Sequence, residues 1–433
     1  MHPLAEELNE IIKKGNIHIY EMLSDLGKKL YFPKGILSQS AEAKKFANKY
    51  NATIGVATEG DQPMFLPSAY RCFNELLPRD LFLYAPASGI PQLREKWKEK
   101  MLQENPQLQN KNISHPLVTN ALTHGLSIVA DLFTNPQDKL ILPDKLWGNY
   151  KLIFGVRKEA DIEYYPFYDA NGGFNITGFR ETVEKCSSTG KLIILLNFPN
   201  NPTGYSISKT EAEEIVEILN SIAKKGCNTI TVMDDAYFGL FYEEETLKES
   251  LFGYLANSNK RLLAIRLDGA TKEEFAWGFR VGFITYGSAD TPNEVYEALE
   301  KKTMGAIRGN ISNCPRPSQT VVLTTLESPT FRQEQQKKFE ILKNRALEVK
   351  NVLKTPKYDE AWNVYPFNSG YFMCVQLKTV NAEQLRQHLL KNYGIGIIAI
   401  NETDVRIAFS CLEINQIPDL FELIYQAIKE LEK

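Results

Sequence analysis

From about residue 115 onward, apolar runs of strand length alternate with segments of helical periodicity. The clearest strands are residues 139–142, 191–197 and 229–234. Leu192 to Leu196 is apolar without a break, the pattern of a strand covered on both faces. Within residues 209–225, Ala212, Ile215, Ile218 and Leu219 recur at helical spacing. Strands alternating with helices predict an α/β fold with a mainly parallel, doubly wound sheet. Near residue 320 the pattern changes. A polar helix over 329–354, short strands at 371–377 and 404–408, and a last helix from Ile417 read as a smaller α+β unit. Upstream, residues 3–14 read as a helix with Leu8, Ile11 and Ile12 on one side and Gly15 as its stop. A second helix is expected over 38–50, capped by Ser38 or Ser40. The chain therefore divides into an arm and part of the small unit (1–55), a large unit (56–320) and the rest of the small unit (321–433).

A chain of 433 residues can bury a large core in two or three domains. Its net charge of −3 and scattered basic residues give no footprint for nucleic acid or an anionic membrane. The six cysteines lie far apart with no CxxC pair, as in reduced cytosolic proteins. No segment resembles a signal peptide or reaches the roughly 18 apolar residues of a membrane span. A soluble, cytoplasmic protein is expected.

Three stretches carry chemistry. Asn197-Phe198-Pro199-Asn200-Asn201-Pro202-Thr203-Gly204 follows the buried strand. Its composition suits any turn, but this turn leaves the carboxyl end of a parallel strand, where open α/β sheets bind ligands. The next strand ends Met233-Asp234-Asp235-Ala236-Tyr237. That acidic pair could cap a helix or hold a metal. The five histidines show no ligand spacing, so a buried organic cation, such as a protonated pyridine nitrogen, suits it better. Asp268-Gly269-Ala270-Thr271-Lys272 then precedes Gly278-Phe279-Arg280-Val281-Gly282. A lone lysine is ordinarily a solvated charge. Presented by a loop of small residues, it suits an amine that forms a Schiff base with a carbonyl cofactor. Arg280 offers a fork matched to phosphate.

In this ordered set the sequence resembles the aspartate aminotransferase family of fold type I pyridoxal phosphate enzymes, from about Gly55 to the C-terminus. The resemblance implies pyridoxal 5'-phosphate as cofactor, an amino acid and a 2-oxo acid as substrates, and a homodimer with active sites at the subunit interface. It makes Lys272 the residue that holds the cofactor and shuttles the substrate proton, Arg280 a phosphate ligand, and Asp234 the partner of the pyridine nitrogen. Tyr237 and Asn201 match donors to the phenolic oxygen, and Trp147 matches the ring-stacking aromatic. Ala121, Leu122 and Thr123 match the phosphate loop at a helix start, and Tyr84 the tyrosine that reaches the neighbouring subunit's phosphate. Arg406 matches the arginine that grips the α-carboxylate, with Gly55 on the substrate side. An arginine in so apolar a strand is expected to have an anionic partner.

Two departures qualify the match. Leu122 is bulky, so its contact should be through backbone only, and Gly269 stands where the family often has a serine, leaving Thr271 to supply the hydroxyl. Arg308, in Ala306-Ile307-Arg308-Gly309-Asn310, matches the arginine that crosses the interface to a distal carboxylate. That favours aspartate and glutamate, with aromatic substrates admitted if it swings away. The bland alternative is a solvated loop arginine, or one paired within the interface. The same motifs also serve lyases, decarboxylases and synthases. A pyridoxal-dependent transcription regulator would need a basic DNA-binding domain, and the residues before Gly55 do not read as one.

Overall fold

The computed structural model describes residues 1–31, 35–60 and 62–433. Its central sheet contains β1 (Leu117–Thr119), β2 (Lys139–Pro143), β3 (Asp161–Tyr165), β4 (Lys191–Asn197), β5 (Asn228–Asp234), β6 (Leu262–Gly269) and β7 (Gly282–Gly287). They lie in the order β1-β7-β6-β5-β4-β2-β3. From β3 to β6 every pairing is parallel, and β7 alone runs antiparallel to its neighbours β1 and β6.

The unbroken apolar run of β4 explains its central place. Successive side chains of a strand point to opposite faces. Leu192, Ile194 and Leu196 enter one core with Ala212, Ile215, Ile218 and Leu219. Ile193 and Leu195 enter the other, with Leu126 and Val129 of the helix Ala121–Phe133. One strand thus feeds two cores, and the sheet sits between helical layers as expected. The helix Lys209–Lys224 starts where Ser208 and Glu211 cap each other reciprocally.

A second sheet joins β8 (Trp362–Val364), β9 (Phe372–Leu377), β10 (Ile398–Ala399) and β11 (Asp404–Ala408) in the antiparallel order β8-β9-β11-β10. Its core includes Leu342, Ala346 and Val349 of the helix Phe331–Val352 and Leu420, Phe421 and Ile424 of the last helix, Ile417–Leu431.

The N-terminal segment departs from its reading in two respects. The helix expected over 38–50 spans Ile36–Phe46 with Gly35, not a serine, at its N-cap. It ends early because Tyr50 and Asn51 pair in parallel with Ile395 and Gly396, a contact of long range that local periodicity does not encode. The first helix spans Pro3–Gly15, but Leu8 and Ile11 are exposed and Ala5 and Asn9 are buried instead. Among the described residues no helix is long and apolar enough to cross a membrane.

Candidate active site

β4 and β5 end side by side, with Asn197 in register with Asp234. Asn197 ties its own turn to the end of β5. Its Nδ2 donates to Asp234 O at 2.8 Å, and its Oδ1 accepts from Asn201 N at 2.8 Å. Gly204 ends the turn at φ +76°, and a Cβ there would sit 2.0 Å from Phe372 O of β9. Only glycine lets the turn lie that close to the second sheet.

The Asp234 carboxyl is 3% exposed. Tyr150 OH donates to its Oδ2 at 2.6 Å, and Ala236 N to its Oδ1 at 3.2 Å. Burial pushes its pKa up to about 6, with those two donors holding it down in part. Among the described residues no lysine or arginine forms an ion pair with it. Its neighbour Asp235 pairs with Arg266 at 2.7 Å. One member of the acidic pair is thus structurally committed, and the other waits for a cation. No group of three metal-ligating side chains occurs among the described residues.

Lys272 follows β6 in a short loop and is half-buried. Its Nζ donates to Gly55 O at 3.1 Å and lies 5.0 Å from the Tyr237 ring centre. Burial, then the charges of Arg280 and Arg406, push its pKa down to about 7. A Cβ on Gly55 would come within 3.4 Å of Lys272 Nζ and 3.2 Å of Phe372 Cζ, so any larger residue fills the space above the amine. Arg280 is exposed and in the left-handed region at φ +55°, and its Nη1 donates to Trp277 O at 3.3 Å.

Arg406 of β11 is 1% exposed. Nη1 donates to Asn201 Oδ1 at 3.0 Å and Nη2 to Thr53 O at 2.8 Å, while Nε has no partner. The guanidinium lies 4.0 Å from the Phe372 ring centre. The anionic partner expected from its burial is not supplied by this chain: among the described residues no carboxylate pairs with it. A buried, unneutralised cation beside a cavity favours an anion as its occupant.

The family model for aminotransferase class I and II matches residues 49–424. The chain belongs to that family. The mitochondrial aspartate aminotransferase of Schizosaccharomyces pombe is 26% identical over 391 residues, 86% of each chain. Among solved structures, an aminotransferase from Anaerococcus prevotii superposes with a TM-score of 0.83 at 22% identity, covering 95% of this chain and 100% of its own. The Pyrococcus horikoshii kynurenine aminotransferase, solved in complex with PMP, gives 0.79 at 15% identity, covering 97% and 99%. The fold is therefore that of the fold type I aminotransferases.

Membership implies pyridoxal phosphate, and the residues of this aminotransferase fit such a group. Asp234 lacks a cation, and Thr271 Oγ1 is buried without a hydrogen-bond partner. The helix Ala121–Phe133 begins without a side-chain cap, leaving its first N–H groups for an anion. All the sequence-derived candidates except Tyr84 and Arg308 line one cavity of about 410 Å³. Leu122 packs into the core between helix and sheet, as a residue offering only backbone would. Tyr84 is 88% exposed. Arg308 lies in the last turn of the helix Asn293–Asn310, where its Nη1 donates to Ser312 Oγ at 2.5 Å. Neither lines the cavity within one chain. Tyr150, Trp277 and Phe372 also line the cavity without having been candidates, and so does Asn197 of the turn after β4. Tyr150 had a signal: it stands one helical turn past Trp147, and their rings meet at 5.6 Å.

Proposed function

We propose that this aminotransferase moves the amino group of aspartate or glutamate to a 2-oxo acid, with aromatic substrates also admitted. The observation that carries the amino-acid reading is Arg406, a buried cation that no carboxylate among the described residues pairs with, facing the cavity that holds Lys272 and Asp234; the acidic preference rests on Arg308. Bound pyridoxal phosphate would supply an aldehyde for the substrate amine and a ring that accepts electrons from the substrate carbon. Asp234 would keep the proton on its ring nitrogen, and Tyr237 and Asn201 would donate to its phenolic oxygen. Trp147 would pack against its ring. The backbone of Ala121 and Leu122, with Thr123, Thr271 and Arg280, would hold its phosphate. Lys272 moves the proton at the substrate Cα, and Arg406 holds the α-carboxylate beside Gly55.

Tyr84 and Arg308 act from a second subunit in this reading. Phe73, Phe82 and Leu83 are exposed close in sequence to Tyr84, the surface a homodimer would bury. The units are 1–55, 56–320 and 321–433. Two separate sheets support that division, and the pairing of Tyr50–Asn51 with Ile395–Gly396 joins the first unit to the third. A cytoplasmic location fits the absence of disulfides among six free cysteines.

The test is a half-reaction screen, in which each amino acid is mixed with the holoenzyme while the cofactor spectrum is followed. Aspartate and glutamate should react fastest, and Arg308→Ala should slow them on the order of 10²-fold while alanine is unaffected. If alanine keeps pace with aspartate in the wild type, the acidic specificity is wrong.

A second expectation concerns pH. An amine binds an aldehyde only when neutral, and Lys272 loses its proton near pH 7. Pyridoxal phosphate uptake by the cofactor-free protein should therefore rise through a midpoint close to 7, rather than near the ordinary lysine value of about 10.4. A midpoint above 9 in stopped-flow absorbance would contradict the burial argument.

A further inference from the structure

Lys145 stands two residues before Trp147, and Asp404 two residues before Arg406. Side chains two apart on a strand share a face, so Asp404 and Arg406 leave β11 in the same direction. Lys145 Nζ lies 2.6 Å from Asp404 Oδ2, with the side chains 15% and 2% exposed. Tyr365 OH donates to Asp404 Oδ1 at 3.0 Å, and the Lys145 ammonium sits 4.8 Å over the Tyr365 ring. Asn401 Nδ2 adds a bond to Oδ2 at 2.9 Å.

The other half of the arrangement runs through the turn after β4. Asn200 Nδ2 donates to Lys145 O at 3.2 Å. Its neighbour Asn201 accepts from Arg406 Nη1 at 3.0 Å. Cys374, the register partner of Arg406 on β9, donates to Pro202 O at 3.2 Å. The path from Lys145 through Asp404, Arg406, Asn201 and Asn200 returns to Lys145. It ties the loop after β2, the turn after β4 and strand β11 into one closed ring.

A pair withdrawn from water contributes little net stability, because desolvation offsets most of its Coulombic gain. Geometry is what it can supply. Among the described residues the Arg406 guanidinium is held by two neutral acceptors and the face of the Phe372 ring, so its placement depends on what fixes β11.

We propose that Lys145 and Asp404 are positioning residues for the reaction, their ion pair fixing where β11 presents the Arg406 guanidinium to the substrate carboxylate. The proposal rests on the assignment of Arg406 to that carboxylate. Neither Lys145 nor Asp404 lines the cavity, so both act through Arg406.

The experiment uses holoenzyme and 2-methylaspartate, which carries the carboxylates but no Cα proton, with binding read from cofactor absorbance. KM and kcat for L-aspartate and the melting temperature are followed alongside. Lys145→Met should weaken the probe and raise KM on the order of tenfold, with kcat at saturation within about twofold. Lys145→Arg, which keeps the charge, should stay within about threefold of wild type on both. Asp404→Asn keeps the acceptor for Tyr365 and carries the test should Lys145→Met not fold. Arg406→Gln is the benchmark. If it weakens the probe while Lys145→Met and Asp404→Asn lower only the melting temperature, the pair is merely structural and the proposal falls. If Arg406→Gln leaves probe affinity unchanged, the carboxylate assignment itself is wrong.

Discussion

Lys272→Ala is expected to lower turnover on the order of 10⁵-fold or more and to remove the long-wavelength absorbance of the bound cofactor, while the fold survives. The surroundings of the amine account for both halves. Among the described residues its amine hydrogen-bonds to Gly55 O at 3.1 Å, and no carboxylate forms an ion pair with it. Burial already disfavours its charge, which is why its pKa falls to about 7. Deleting a buried amine that no acid neutralises relieves a desolvation cost, so the melting temperature of the cofactor-free variant should hold or rise. In the proposed reading Asp234, Thr271 and Arg280 would still bind cofactor without a covalent link. Lys272→Arg sharpens the result. It keeps a cation at the site, but a guanidinium does not lose its proton in a protein, so this variant should be as inactive as the alanine. Steady-state kinetics with L-aspartate and 2-oxoglutarate, with absorbance spectra of both variants, decide the matter. An alanine variant that stays active with an unchanged spectrum would sink the role given to Lys272.

The parts of this site that sequence made legible are those held by local signals. β4 and β5 occur within a residue of their expected bounds, because an apolar run between turn residues needs nothing else to declare itself. Asn201, Asp234 and Lys272 follow strand ends, so placing the strands placed them. Tyr150 was missed for the opposite reason. It leads into an irregular helical turn over Lys151–Val156, and its bond to Asp234 spans 84 positions of sequence. The pairing of Tyr50 with Ile395 has the same character, and so the helix before it ends earlier than its periodicity implies. Lys145 looks like a surface charge in its stretch and becomes a buried one only when β11 arrives with Asp404. Arg406 was legible as an oddity, a charge inside an apolar strand. Its expected anion is one that no described residue provides, which is where pattern ends and chemistry begins. Tyr84 and Arg308 lie on the surface of a single chain, and their roles wait on a second one.

Asp234→Asn is expected to move stability and activity in opposite directions. Burial raises the Asp234 pKa from 3.8 to about 6 in the chain without cofactor. A folded pKa above the unfolded one means that the group stabilises the fold fully when protonated, below about pH 4, and that this contribution is lost as pH rises through about 6. At pH 8 the ionised carboxylate should therefore cost the cofactor-free fold about 3 kcal/mol. Asparagine is neutral, has nearly the same shape, and keeps an acceptor for Tyr150 or Ala236. The variant should unfold a few degrees higher than wild type at pH 8 and lose that advantage at pH 4. With pyridoxal phosphate bound the sign reverses. A protonated ring nitrogen gives the carboxylate the partner it lacks, and an amide cannot hold that proton. Leaving a buried charge without its counter-ion costs about 3–5 kcal/mol, equivalent to roughly 10²- to 10⁴-fold in kcat/KM. Melting curves of the cofactor-free proteins at both pH values, set beside kinetics of the loaded ones, separate the two effects. A variant less stable than wild type at pH 8 would make Asp234 a structural carboxylate. One that is more stable and catalytically crippled identifies a residue whose burial costs the empty protein stability, and whose charge is matched only when the cofactor arrives.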